Sequence, residues 1–190
     1  MPDMPIPHLK LTIGDYELFP DDGRRHELID GEHVVTPAPS SLHQRVVGNL
    51  YAALREVALS AKLGEVFLAP CDVVLSATDV VQPDLLLVRR GREEIVRARV
   101  EGSPDLVVEV LSPSSRRTDE VLKRRAYERF GVEELWIVDP EIEVVRVYRR
   151  EGEAFGRPVE QSSERGDVLE TPLLPGLRLA VAAVFAPRPW

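Results

Sequence analysis

The alternation of apolar and polar positions near the N-terminus predicts a β-hairpin followed by an amphipathic helix. The segment RRHELIDGEHVV alternates about Asp30 and Gly31, a dipeptide that favours a type I′ turn because both residues tolerate a positive φ. Apolar residues then recur at three- and four-residue spacing from Ser41 to about Ala61, and Ser40 or Ser41 can cap the first turn. One helix therefore follows the hairpin directly.

The rest of the chain predicts strands and one further helix. Three apolar runs, EVFLAPCDVVL, VVQPDLLLV and PDLVVEVL, are separated by turn residues, and Pro83 in the second run suggests an edge strand or a bulge. A helical pattern covers residues 116–130 and ends at Gly131, and ELWIVDP and EVVRVYRR then predict two strands joined by a turn at 139–142. The sequence beyond residue 150 is predicted to add edge strands. We expect an α/β (α+β) fold with a mixed sheet flanked by helices.

Length and composition favour a single domain over residues 1–190. The chain is 44% hydrophobic and 29% charged, and no apolar run approaches the roughly 20 residues needed to span a bilayer. The first ten residues lack the basic and apolar regions of a signal peptide, and the lone Cys71 has no partner for an internal disulfide. We expect a soluble, cytoplasmic protein without membrane contact.

The overall charge disfavours a protein that coats nucleic acid nonspecifically. Net charge is −8, whereas phosphate binding relies on Lys and Arg. Basic residues do cluster in two segments, 89–99 and 116–125, but acidic residues are interleaved with both clusters. Solvated faces are the simpler interpretation of these clusters, so they add only support to other evidence.

Two carboxylates that interrupt apolar strands are the first candidates for chemistry. Glu109 lies in LVVEVL, a run of the kind that is buried on both faces of a sheet, and Asp84 interrupts the preceding run. An ionised carboxylate is costly to remove from water, so each needs a cation, a proton or a metal. If the two strands pair, they lie about 4.8 Å apart, and Mg²⁺ with oxygen ligands at about 2.1 Å can bridge the carboxylates. The alternative is a structural ion pair with Arg116 or Arg125.

A competing acid and a lysine complete the candidate set. Asp105 also follows a proline, but it precedes Glu109 by four residues, roughly 13 Å along a strand, which is too far to share a metal. Lys123 lies on the second helix, one turn after Asp119 on the same face, and lysine otherwise occurs only at positions 10 and 62. An ammonium can orient an attacking water or stabilise charge on a transferring phosphate. A plain salt bridge with Asp119 is the alternative.

These motifs together resemble a known group of nucleases. The PD dipeptide at 83–84, followed by EVL at 109–111, resembles the PD-(D/E)xK signature of restriction-endonuclease-like enzymes, whose core is a mixed sheet flanked by helices. More narrowly, the chain resembles the Uma-type endonucleases of bacteria over roughly residues 20–150, through ELIDGE, the helix around His43, PDLLLV, PDLVVEVLSPSS, the helix with Asp119, Lys123 and Tyr127, and GVEELWIVDP. The order of these pieces along the chain is far more specific than any one of them.

The resemblance implies a metal-dependent endonuclease that hydrolyses DNA phosphodiester bonds with a metal-activated water. Its implied catalytic residues are Asp84, Glu109 and Lys123, and the two acids would bind Mg²⁺, with Mn²⁺ as a substitute. The superfamily pattern has a lysine where this chain has Leu111, and in the resembling family a lysine on the following helix supplies the amine. Accessory residues implied by the same likeness are Glu27, Glu32, His43, Asp119 and Tyr127. A homodimer would place two active sites on the two DNA strands.

Two other functions remain open from the sequence. A catalytically silent nucleic-acid-binding or interaction module of the same fold would suit both Leu111 and the net negative charge. A phosphoesterase acting on a small substrate would suit the acidic surface better than long DNA does. The histidines show no zinc-type spacing, so a zinc site is not expected.

Overall fold

The computed structural model describes residues 9–187 and contains two larger sheets and one short sheet flanked by helices. The helices are α1 (Ile13–Tyr16), α2 (Ser41–Ser60), α3 (Arg124–Arg129) and α4 (Val181–Phe185), with a 3₁₀ turn at Glu93–Ile95 and a π-helical segment at Thr118–Lys123 that runs directly into α3. The strands are β1 (Arg25–Ile29), β2 (Glu32–Thr36), β3 (Gly64–Leu68), β4 (Val73–Ser76), β5 (Asp79–Val81), β6 (Leu85–Arg89), β7 (Val100–Glu101), β8 (Leu106–Val110), β9 (Glu134–Asp139), β10 (Val144–Glu151), β11 (Ala154–Phe155), β12 (Val159–Ser162), β13 (Val168–Leu169) and β14 (Leu179–Ala180). The predicted mixed α/β fold is confirmed.

The predicted hairpin and first helix are both present. Strands β1 and β2 pair antiparallel, and the two turn residues have positive φ, 51° at Asp30 and 78° at Gly31, as the type I′ turn requires. Helix α2 begins after Ser40, whose hydroxyl accepts a hydrogen bond from the His43 backbone N–H at 3.2 Å. The hairpin belongs to a five-stranded sheet with the order β2-β1-β5-β4-β7.

The second large sheet is buried on both faces and carries the main core. Its strands run β11-β10-β9-β8-β6-β3, with β12 also paired to β10, and the parallel β8–β9 pair makes the sheet mixed. Alternate residues of β8 enter two different apolar clusters, because successive side chains of a strand point to opposite faces. One cluster packs against α2 and α4, and the other contacts the five-stranded sheet and α3.

Several features differ from the sequence-based prediction. The run EVFLAPCDVVL forms two strands, β3 and β4, which belong to different sheets. The run VVQPDLLLV is divided at Pro83: β5 joins the five-stranded sheet, whereas β6 lies inside the other sheet between β8 and β3. Pro83 therefore marks the point at which the chain crosses from one sheet to the other, instead of the predicted edge strand or bulge. The second helix contains a π-helical segment, and the tail adds α4 as well as strands. Across residues 9–187, no helix is long and apolar enough to cross a membrane.

Candidate active site

Strand pairing brings Asp84 and Glu109 together at one end of the larger sheet. Strands β6 and β8 pair antiparallel with Leu85 opposite Val108, so the register continued by one residue places Asp84 opposite Glu109. In addition, the backbone N–H of Val110 donates to Asp84 Oδ2 at 2.9 Å. The two carboxylates are 2% and 1% exposed, and both line a cavity of about 180 Å³.

Asp84 is held as an anion by two basic side chains. Arg25 Nη1 donates to Oδ1 at 2.7 Å, and His43 Nε2 donates to Oδ2 at 3.0 Å, since a carboxylate only accepts. Burial alone would raise the pKa of Asp84, but the hydrogen bond and charge of His43, together with Arg25, outweigh burial and lower it to about 2. The partner of Asp84 is thus Arg25, not Arg116 or Arg125.

Lys123 lies at the centre of three buried acids. Its Nζ is 2.9 Å from Glu27 Oε1, 3.1 Å from Glu109 Oε1 and 3.5 Å from Asp119 Oδ1. Burial alone would lower the pKa of Lys123, but Glu109, Glu27 and Asp119 reverse this effect and raise it well above its ordinary value. The ammonium is therefore a fixed charge. The i, i+4 contact with Asp119 exists, but the two contacts with strand residues are shorter.

Glu109 lacks full charge compensation. Burial raises the pKa of Glu109 well above its ordinary value, and the neighbouring carboxylates oppose the lowering effect of Lys123. Tyr127 Oη donates to Glu109 Oε1 at 2.5 Å, whereas Oε2 makes no hydrogen bond with any residue from 9 to 187. Burial likewise raises the pKa of Asp119, against the charge of Lys123. These carboxyls therefore favour a proton or a further cation.

The buried charges at this site do not balance. Four carboxyls are almost fully buried, whereas Lys123 and Arg25 are the two permanently charged cations that contact them among residues 9–187. His43 also contacts Asp84. The four acids are Glu27, Asp84, Glu109 and Asp119. An excess of negative charge in so small a space is characteristic of functional sites rather than of ordinary cores.

Most of the predicted site residues converge on this cavity. Asp84, Glu109, Lys123, Glu27, His43 and Asp119 line it, and Tyr127 contacts Glu109 from behind. Glu32 does not join them: it is exposed at the turn end of β2, opposite Ile29, whereas the cavity lies at the other end of the hairpin, near Arg25 and Thr36. Asp105 is fully buried at the far end of β8, where it binds the backbone N–H and Nε of Arg89 at 2.8 and 2.9 Å.

Several cavity residues were not predicted. Arg25 lies two residues before Glu27 on β1, so both side chains point to the same face of the hairpin, and this alternation was a usable signal. Two loops form the rim, residues 36–40 on one side and 112–115 on the other. In the second loop, the Oγ of Ser115 accepts a hydrogen bond from the backbone N–H of Ser112, and the Oγ of Ser112 accepts one from the backbone N–H of Ser115, both at 3.2 Å. This reciprocal pair fixes the start of the helix that carries Lys123.

A mixed sheet with two acids on adjoining strands and a lysine on the next helix defines a restriction-endonuclease-like protein. The model of the Uma2 family, described as "Putative restriction endonuclease", matches residues 13–182. Because the match covers most of the chain, this protein belongs to the Uma2 family. The sequence resemblance to Uma-type endonucleases is thereby confirmed.

Structural comparison supports the same fold. A crystal structure from Anabaena variabilis ATCC 29413, described as a putative nuclease belonging to DUF820, is similar with a TM-score of 0.79 and 19% sequence identity. The similarity covers 92% of this chain and 97% of that chain. No curated protein matches the sequence. At this level of identity the likeness establishes the fold, and the chemistry has to be argued from the side chains.

Proposed function

We propose that this protein is a magnesium-dependent endonuclease that hydrolyses DNA phosphodiester bonds with water as the nucleophile. The observation that carries the proposal is the group of four buried carboxyls, three of which contact Lys123, with Asp84 and Glu109 on paired strands. Membership of the Uma2 family of nuclease-like proteins supports it independently. The DNA substrate, the metal and the assignment of roles to residues are parts of the proposal.

The donor set fits a hard divalent cation. Glu109 Oε2 has no hydrogen bond within residues 9–187, and Asp84 Oδ1 accepts one hydrogen bond and retains a lone pair. The excess of buried negative charge requires compensation of the kind that a cation supplies. No three His, Cys, Asp or Glu side chains of the described residues form a preformed metal site. Two carboxylates with water and substrate oxygens are a usual arrangement for Mg²⁺, which rarely uses an all-protein cage.

Each residue of the site has a defined proposed role. Asp84 and Glu109 would hold the ion, and His43 and the Val110 backbone N–H fix the orientation of Asp84. Bound Mg²⁺ supplies polarisation of the phosphate and a more acidic water. The Lys123 ammonium would stabilise charge that develops on the phosphate oxygens.

The decisive experiment is plasmid cleavage. Wild-type protein and Asp84→Asn are incubated with supercoiled plasmid in Mg²⁺ or Mn²⁺, with and without a chelator. We expect nicking or linearisation that requires the metal and that is absent in Asp84→Asn. Glu32→Gln is a matched control, because it removes an acid from the same hairpin outside the cavity and should cut like wild type. Absence of cutting by wild type with either metal would contradict the proposal.

A second candidate is a nucleic-acid-binding module of the same fold without catalysis. It is favoured by the contacts of Asp84, whose two oxygens already bind Arg25, His43 and a backbone N–H. Such a module would bind duplex DNA in the presence of a chelator and would leave the plasmid intact in every metal. Short oligonucleotides and a small phosphodiester tested beside the plasmid distinguish a nuclease from a small-substrate phosphoesterase.

We also propose that the active species is a homodimer, because two sites related by a twofold axis can cut both strands. Sedimentation velocity at the concentration that cuts plasmid measures the mass directly. A monomer of about 21.3 kDa that linearises plasmid in a single binding event would contradict this part of the proposal.

A further inference from the structure

Arg25 has an unusual position beside the candidate metal ligands. It extends from β1 into the cavity, and its side chain is 20% exposed. Nη1 donates to Asp84, while Nε and Nη2 make no hydrogen bond with any residue from 9 to 187. A guanidinium carries five N–H donors in a rigid fork, so most of its donors remain available to a ligand in the cavity.

Arg25 binds the oxygen of Asp84 that has the most remaining capacity. Oδ2 already accepts from His43 and from the Val110 backbone N–H, whereas Oδ1 accepts from Arg25 alone within the described residues. A divalent cation held by Asp84 would therefore lie close to the Arg25 guanidinium. Two positive charges this close repel each other, and burial reduces the screening by solvent. Arg25 thus opposes metal binding while it holds Asp84.

A phosphate group offers Arg25 a better partner. The flat fork of a guanidinium matches two phosphate oxygens, and such paired charge-assisted hydrogen bonds are stronger than a single contact. A phosphate in the cavity would attract the guanidinium from Asp84 and leave that carboxylate to the cation. If bound phosphate raises the affinity of the site for the cation, bound cation must raise the affinity for phosphate by the same factor.

We propose that Arg25 is a positioning residue that couples the two ligands: it holds Asp84 until a substrate phosphate engages its guanidinium, so that the divalent cation binds tightly only when nucleic acid is present. This inference rests on the proposed nuclease function. As a consequence, Arg25 lowers the affinity of the protein for the metal when DNA is absent and raises its affinity for DNA. Removing the charge of Arg25 should therefore change the two affinities in opposite directions.

The test compares wild type with Arg25→Gln, Arg25→Lys and Arg24→Gln. Glutamine keeps a hydrogen-bond donor near Asp84 without the charge, lysine keeps the charge without the fork, and Arg24 is an exposed arginine next to Arg25 on the same chain segment. Mn²⁺ binding without DNA is measured by isothermal titration calorimetry. Binding of a short duplex in chelator is measured by fluorescence anisotropy, and thermal melts establish that each variant folds.

We expect Arg25→Gln to bind Mn²⁺ about tenfold more tightly than wild type and to bind the duplex several-fold more weakly. Arg25→Lys and Arg24→Gln should keep the wild-type Mn²⁺ affinity. Equal or weaker Mn²⁺ binding by Arg25→Gln would overturn the inference, because a purely structural role of Arg25 cannot tighten metal binding when lost.

The same experiments separate this inference from the proposed function. If wild type cuts plasmid while Arg25→Gln shows unchanged Mn²⁺ affinity, the coupling role of Arg25 is refuted and the nuclease function stands. If neither wild type nor Arg25→Gln binds Mn²⁺ and no plasmid is cut, the metal-dependent function fails and the inference fails with it.

Discussion

Replacement of Lys123 by methionine removes the ammonium that contacts Glu27, Glu109 and Asp119. Methionine has a similar length and no charge, so the packing volume is largely kept while three acids lose their shared partner. Breaking a buried ion pair from one side costs about 3–5 kcal/mol. For a chain of 190 residues, each kcal/mol corresponds to roughly 2–4 °C in melting temperature, so we expect Tm to fall by roughly 6–20 °C at pH 8.

The loss of stability in Lys123→Met should depend on pH in a defined direction. The charge of Lys123 lowers the pKa of Glu109 and of Asp119, both of which burial raises, so its removal raises both further. An acid whose folded pKa lies above its unfolded value takes up a proton on folding, and its contribution to stability falls as pH rises between the two values. The Tm deficit should therefore be large at pH 8 and smaller near pH 5.

Thermal melts followed by circular dichroism at both pH values measure these deficits. Lys10→Met is the matched control: Lys10 pairs with Asp30 at 2.5 Å, but both are more than half exposed, and such a pair contributes at most about 1 kcal/mol. The double variant Lys123→Met, Glu109→Gln should melt at a higher temperature than Lys123→Met alone, because it no longer buries the Glu109 carboxylate without a partner. A deficit below about 2 °C at pH 8, or an equal deficit at both pH values, would refute the reasoning.

Three further outcomes are expected. The pKa of Asp84 is about 2 against an ordinary 3.8, so its ionisation contributes about 2 kcal/mol of stability that is present above pH 4 and is lost as pH falls toward 2. Urea unfolding measured across this pH range should show the loss in wild type and not in Asp84→Asn. Tyr127→Phe removes the 2.5 Å hydrogen bond to Glu109 and should lower stability by about 1.5–3 kcal/mol in the same unfolding assay, whereas an unchanged midpoint would contradict that contact. Glu134 binds Trp136 Nε1 at 2.6 Å and Arg149 Nε at 2.9 Å, so Glu134→Gln should cost about 2–3 kcal/mol, while the half-exposed neighbour Glu133→Gln stays within about 1 kcal/mol.

The sequence predicted the features of the site that depend on local pattern. The hairpin turn follows from Asp30-Gly31. The expectation that Asp84 and Glu109 face each other follows from two neighbouring apolar runs that each carry an acid inside the strand pattern. Strand alternation then determines which face each acid occupies. These features need only the period of the backbone and the cost of burying a carboxylate.

The remaining features depend on contacts between distant segments. The exchange of sheets at Pro83 requires knowledge of how two sheets cross, and the pairing of Arg25 with Asp84 joins residues 59 positions apart. The same limit explains why the sequence alone offers Arg116 as a partner of Asp84, although Arg116 binds Asp139 at 2.7 Å. Several arginines of similar local context were available, and only the tertiary structure selects among them.

The position of the lysine illustrates why spacing along the chain is a weaker guide than geometry. Leu111 has the place at which the superfamily pattern has lysine, and here it is 3% exposed within the apolar cluster that includes Tyr127 and Ile137. A lysine at that position would bury an ammonium among aliphatic and aromatic side chains, which is costly without a partner. Lys123 instead approaches from a π-helical segment, a feature that is frequent at functional sites, and it places Nζ 3.1 Å from Glu109. The proposed catalytic role requires a positive charge at that distance from the carboxylate, and either backbone position can supply it if the surrounding packing allows.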